Sequence, residues 1–269
     1  MLKQKSLVSA LLSLSLMLSI TPSVALTLEG DAAQKGLAIA QESDRRDQGW
    51  HDSQVSMTMT LRNKQGDQSI RKLRIKNLEI TGDGDMGLTI FDTPKDVKGT
   101  GFLNYSHINE PDDQWLYLPA LKRVKRIASK NKSGPFMGSE FSFEDLSSFE
   151  VEKYTYQYLG EETVNGLASY KIEMKPTYKH SGYSKITVWI DKEEFRLQKM
   201  EYYDRKKSLL KTQLLGDYKQ YLGQYWRSHH AKMKNHQSHK ETELEFKDYK
   251  FKTGLTKSQF SKNALKRIR

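Results

Sequence analysis

Four histidines late in the chain, His229, His230, His236 and His239, are the residues whose types and spacing come nearest to a metal site. His236 and His239 are three apart, a spacing that can place two imidazoles on one ion. However, no carboxylate lies at a metalloenzyme spacing from them, and the neighbouring strands offer no clear third ligand. A polar loop is the simpler reading, and no metal is expected. The carboxylate doublets Asp112-Asp113 and Glu193-Glu194 are adjacent in sequence. Neighbours on a strand point to opposite faces, so neither doublet makes an acid–base pair. No Gly-x-Ser-x-Gly elbow and no phosphate-cradling glycine loop before a helix is present. Gly82-x-Gly84 and Gly99-x-Gly101 read as turns and close backbone approaches. With no cysteine in the chain, thiol catalysis, disulfides and cysteine-ligated metals are excluded. No cofactor is expected, and the pattern predicts a protein that is not an enzyme.

What chemistry the chain offers is concentrated between Gly99 and Leu146. A Gly99-Thr100-Gly101-Phe102-Leu103 segment is followed by Trp115-Leu116-Tyr117-Leu118-Pro119-Ala120. Next comes a basic run with Lys122, Arg123, Lys125 and Arg126. Phe136-Met137-Gly138-Ser139-Glu140-Phe141-Ser142-Phe143-Glu144-Asp145-Leu146 completes the stretch. Two readings compete. In one, this is a hairpin with a solvated basic face and aromatics in the core. In the other, aromatic and methionine side chains form an adaptable apolar wall, with basic residues beside it to steer an anionic headgroup or dock an acidic surface.

The elements that must position these residues are mostly strands. Val55, Met57, Met59 and Leu61 alternate with polar residues, the cleanest period of two in the sequence. Leu88 and Ile90 lie on a following strand. The second half repeats the pattern with Tyr154, Tyr156 and Tyr158, then Ala168 to Met174, then Ile186, Val188 and Ile190. One early helix is expected over 31–46, capped by Asp31, with Ala33, Leu37 and Ala40 on its apolar face. A short helical turn is expected within 139–149. So long a run of antiparallel strands curls rather than staying flat. The fold class is therefore mainly β (α+β), a half-open antiparallel barrel of about ten or eleven strands around helical plugs. A single domain over 26–269 is the simplest organisation.

The first 25 residues read as a cleavable signal peptide. Lys3 and Lys5 precede an apolar run from Leu7 to Ile20, too short for the roughly 20 residues a bilayer span needs. Pro22 and Ser23-Val24-Ala25 place cleavage after Ala25. With no cysteine to carry an N-terminal lipid, the mature protein is expected to be soluble in the periplasm. The net charge is +11 at neutral pH. In a cytoplasmic protein that charge would raise nucleic acid as a partner. Export points instead to anionic lipid and envelope polymers, touched transiently at a membrane surface.

The motifs in Gly99–Leu103, Trp115–Ala120, Lys122–Arg126 and Gly138–Leu146 resemble the hallmark of the outer membrane lipoprotein-sorting family, within the LolA/LolB-like superfamily. The resemblance implies a half-open barrel whose apolar cavity holds lipid or lipoprotein acyl chains. It also implies a link to resistance-nodulation-division (RND) or MmpL-type inner-membrane exporters. On this reading the ligand-facing residues are Val55, Met57, Met59, Leu61, Leu88, Ile90, Phe102, Trp115 and Tyr117. The loop bearing Phe136, Met137, Phe141 and Phe143 would serve as a lid. The alternative is an accessory subunit of such an exporter that carries no cargo of its own.

Overall fold

The computed structural model describes residues 27–267. The expected signal peptide and its cleavage point lie outside the described residues. The first element is helix α1 (Ala32–Arg46). Asp31 caps it by accepting from the Gln34 backbone N–H, and the Gln34 side chain accepts in return from the Asp31 N–H. Its buried face is Gly36, Ile39 and Ala40, whereas Leu37, expected to face inward, is exposed. The reason lies at Gly36. A Cβ there would sit 3.0 Å from the backbone nitrogens of Gln157 and Tyr158. The helix backbone thus rests directly on a strand, and the face turned to that strand is the one carrying the glycine.

Six strands follow as a meander: β1 (Asp52–Arg62), β2 (Gln68–Leu78), β3 (Met86–Thr93), β4 (Gly101–Tyr105), β5 (Asp113–Leu118) and β6 (Arg123–Ile127). A non-repetitive segment over 128–153 intervenes, with three short 3₁₀ turns. The helical turn expected within 139–149 is one of them, Glu144–Leu146. A second meander then runs through β7 (Tyr154–Val164), β8 (Leu167–Pro176), β9 (Tyr183–Asp191), β10 (Leu197–Asp204) and β11 (Leu209–Gly216). A small hairpin of β12 (Lys219–Tyr221) and β13 (Tyr225–Arg227) stands apart. The chain returns through β14 (His230–Asn235) and β15 (Glu241–Phe251), and ends in a tail with the short helix α2 (Lys262–Leu265).

Thirteen strands form one antiparallel sheet in the order β6-β5-β4-β3-β2-β1-β15-β14-β11-β10-β9-β8-β7. The fold class is as expected, although the sheet has more strands than the ten or eleven read from sequence. The end strands β6 and β7 are not bonded to each other, so the curled sheet is a half-open barrel.

Register gives the sheet one continuous inner face. Met57 lies opposite Leu73 and Phe246, and Met59 opposite Leu244. On the other side Ile172 lies opposite Val188, and Val188 opposite Met200. Helix α1 covers this face near β7 and β8. The segment over 128–153 fills it near β1 to β5, with the Phe136 ring 5.2 Å from Phe102 and 5.8 Å from Phe91. A separate cluster forms on the outer face, where the tail residues Leu255, Phe260 and Leu265 cover Leu88, Ile90, Leu103 and Trp115.

Candidate functional site

The inner segment over 128–153 fills the half of the barrel under β1 to β5. Between α1, the end of the inner segment and the inner faces of β8 to β11 lies a cavity of about 920 Å³. That is within the range of about 300–1,000 Å³ typical of ligand pockets. Its floor is apolar: Ile172, Met174, Ile186, Val188, Ile190 and Met200. These residues alternate along three neighbouring strands, so the period of two that forms the strands also builds the floor. Ile172 and Val188 are 0 % and 2 % exposed, so these floor residues are covered by their neighbours.

One wall is a layer of tyrosines. The Tyr183 and Tyr202 rings are 4.9 Å apart, and Tyr154 meets Tyr178 edge-on at 5.9 Å. Two hydroxyls are satisfied by the inner segment, Tyr178 donating to Glu144 at 2.7 Å and Tyr183 to Asp145 at 2.6 Å, while Tyr202 donates to Gln213 of β11 at 2.9 Å and the Tyr154 hydroxyl meets that of Tyr178. Burial pushes the phenols of Tyr154, Tyr178, Tyr183 and Tyr202 upward, so all four are neutral donors.

The mouth is acidic. Asp44 lies in the last turn of α1, Glu79 and Asp85 in the β2–β3 connection, and Glu150 and Glu152 before β7. Glu79 accepts from the backbone N–H groups of Gly49 and His51, at 2.5 and 2.6 Å. Ser148 ties two of the acids together, accepting from the Asp85 N–H at 3.2 Å and donating to Glu150 at 2.6 Å. Burial, with Glu150 and Glu79 nearby, pushes the Asp85 carboxyl up to about 7. Burial likewise raises Asp44 and Glu150, with Glu152 adding to both. Lys153 at the same mouth is bound to Asp112.

The inner segment is fixed rather than hinged. Lys211 on β11 donates to the Glu140 carbonyl at 2.9 Å and pairs with Asp145 at 2.5 Å, both side chains being 4 % exposed. The Glu140 N–H donates to Thr242 at 2.9 Å, and Gln114 donates to the Phe143 carbonyl at 2.8 Å. Arg71 donates to the Met137 carbonyl. The segment expected to be a lid is therefore a plug. Phe136 and Phe141 are buried because polar anchors on both sides draw their backbone into the barrel.

The residues expected to face ligand are divided by this arrangement. Met57, Met59, Phe102, Phe136 and Phe141 are buried in the main core, with Leu61, Met137 and Phe143 packed against it. Val55 is buried on the same strand face as Met57. All nine lie in the filled half and none lines the cavity. Leu88, Ile90, Trp115 and Tyr117 belong to the outer-face cluster under the tail. The basic residues Lys122, Arg123, Lys125 and Arg126 are exposed on the β5–β6 turn and on edge strand β6, and none lines the cavity. Arg126 pairs with Asp113 at 2.5 Å. The histidines do not converge: His229 meets Tyr221, His230 pairs with Glu243 and His236 meets Thr212.

A family model described only as an uncharacterized protein matches residues 83–267. No curated protein matches the chain. Among solved structures, the chain is similar to a domain from Vibrio parahaemolyticus described as outer membrane lipoprotein-sorting. The two are 59 % identical with a TM-score of 0.86, over 87 % of this chain and 100 % of that one. A DUF1329 family protein from Desulfovibrio piger is 28 % identical with a TM-score of 0.83, over 88 % of this chain and all of that one. A LolA superfamily protein from Nitrosomonas europaea shares the fold, with a TM-score of 0.68 at 19 % identity over 87 % of this chain and all of that one.

Proposed function

Because the chain belongs to the outer membrane lipoprotein-sorting family, we propose that it is a soluble periplasmic carrier that shelters an acyl chain or similar hydrophobic cargo between α1 and β8 to β11. The observation that carries this reading is the cavity of about 920 Å³ with an apolar floor, in a barrel whose other half is filled. Its work is reversible burial and involves no bond chemistry, in keeping with a carrier fold that is not an enzyme's. Each methylene withdrawn from water is worth about 0.8 kcal/mol, so part of an acyl chain suffices for useful affinity. Because the floor residues are covered by their neighbours, a full chain enters by parting α1 from the sheet. Among the described residues no helix is long and apolar enough to cross a membrane.

Cargo passes, on this proposal, to or from an RND or MmpL-type exporter in the inner membrane. The exposed cations of the β5–β6 turn and β6, Lys122, Arg123, Lys125 and Arg126, make a transient contact with an anionic surface. Purification from the periplasm followed by lipid mass spectrometry, together with titration of an uncharged fluorescent lipid analogue, tests the carrier. Co-purifying lipid and saturable binding are expected. Absence of both refutes cargo carriage, and a stable exporter complex without lipid would favour the accessory-subunit reading.

A further inference from the structure

The sign of the charge at the cavity mouth is opposite to that of the chain. Ten carboxylates line the cavity against two lysines and His51, in a protein with a net charge of +11. Several of the carboxylates have a side-chain partner that holds them in place. Asp47 pairs with Arg227, Asp83 with His107, Asp112 with Lys153, and Asp145 with Lys211. Glu144 accepts from Tyr178, Ser181 and the Gly182 N–H. The five left are Asp44, Glu79, Asp85, Glu150 and Glu152, and among the described residues none has a cation in ion-pair contact. They come from three separate parts of the chain and meet directly above the apolar floor.

We infer that this cavity takes amphiphiles whose head group is positively charged, an amine or quaternary ammonium on an apolar chain. The inference rests on the carrier reading and specifies its cargo class. An alkyl chain lying on Ile172, Ile186 and Val188 carries its head up to the ring of unpaired carboxylates, and only a cation is attracted there. Those carboxylates repel one another in a partly desolvated site, where Coulomb interactions are stronger than in water. Burial, with neighbouring carboxylates adding to it, raises the Asp44, Asp85 and Glu150 carboxyls. An entering cation relieves the repulsion, whereas a sulfate, phosphate or carboxylate head adds to it. The C-terminal end of α1 reaches the mouth at Asp44 and Asp47, and the negative end of its dipole acts in the same direction. The four cations expected to steer an anionic headgroup do not line the cavity.

The test compares three probes of equal chain length on the full protein by isothermal titration calorimetry, each below its micelle-forming concentration. They are dodecyltrimethylammonium, dodecyl sulfate and the neutral dodecyl maltoside. The cation is expected to bind at least about tenfold tighter than the sulfate, with the gap narrowing as sodium chloride is raised. Non-specific attraction to a chain of +11 works the other way, so a cation preference must come from the site. Two double variants, Asp85→Asn with Glu150→Gln and Asp44→Asn with Glu152→Gln, are each expected to shrink the gap between cation and sulfate. The second pair lies nearer the surface and serves if the first does not fold. Equal or tighter sulfate binding, or a gap that neither pair alters, overturns the inference and leaves the carrier reading standing if maltoside binds. If no probe binds, the carrier reading fails and the charge preference fails with it.

Discussion

Replacing Lys211 by methionine should unfasten the plug. The Lys211–Asp145 pair is 4 % exposed on both sides, at 2.5 Å, and Lys211 also holds the Glu140 carbonyl at 2.9 Å. Methionine keeps most of the side-chain volume and removes the charge and three donors. Asp145 then keeps the Ser142 N–H at 2.7 Å and the Tyr183 hydroxyl at 2.6 Å, but no cation. Removing one partner of a buried pair costs about 3–5 kcal/mol, because the other charge stays buried without compensation. For a domain of this size that is a fall in melting temperature of about 2–4 °C per kcal/mol. Replacing both partners, Lys211→Met with Asp145→Leu, removes the stranded charge and should recover most of the loss. Urea denaturation of the two single variants and the double variant closes the cycle. Limited proteolysis should show new cleavage within 128–153 in the single variants. A loss below about 1 kcal/mol for Lys211→Met, or losses that simply add in the double variant, would refute the view that this pair anchors the plug.

Gly36→Ala places a methyl 3.0 Å from two backbone nitrogens of β7. Helix propensity alone favours alanine by about 1 kcal/mol, so a net loss in chemical denaturation isolates the overpacking of α1 on the sheet, and faster dodecyl maltoside uptake should accompany it. Asp85→Asn tests the acidic mouth. Because the folded carboxyl is raised to about 7 from 3.8, its neutral form is the one the fold favours. Its contribution is complete below pH 3.8 and is lost as pH rises to about 7. The variant should therefore gain stability over the parent at pH 8, by at most about 4 kcal/mol, and gain nothing at pH 3.5. A gain independent of pH in thermal melts would contradict this assignment. Trp115→Ala should cost about 3 kcal/mol through the outer-face cluster, while the folded fraction keeps its lipid content by mass spectrometry.

The strands were legible because their signal is local. The alternation in Val55–Leu61 and in Ile186–Ile190 is a direct consequence of the pleat. The same alternation marks Ile172 and Met174, so the cavity floor was visible as strand but not as floor. Which of two equally apolar halves remains open depends on where 128–153 goes, and that is set by Lys211, Thr242 and Gln114, which are distant in sequence. Trp115 and Phe102 show the same limit. Both lie in the distinctive motif, yet neighbouring strand positions alternate sides, and register places Phe102 inside and Trp115 outside. The acidic mouth left no sequence trace, since its members come from three segments and overall composition is basic.

The pairing of β1 with β15 joins the two meanders at the centre of the sheet, from Ser53 opposite Phe251 to Arg62 opposite Glu241. The first strand and the last are therefore central neighbours, and neither meander closes its inner face alone. Contacts of such sequence separation form late, after a large loop has been closed. A chain threaded across a membrane N-terminus first leaves β1 waiting, unpaired on that side, until some 180 further residues have emerged. The topology thus makes completion of the fold wait on the last long strand of the chain.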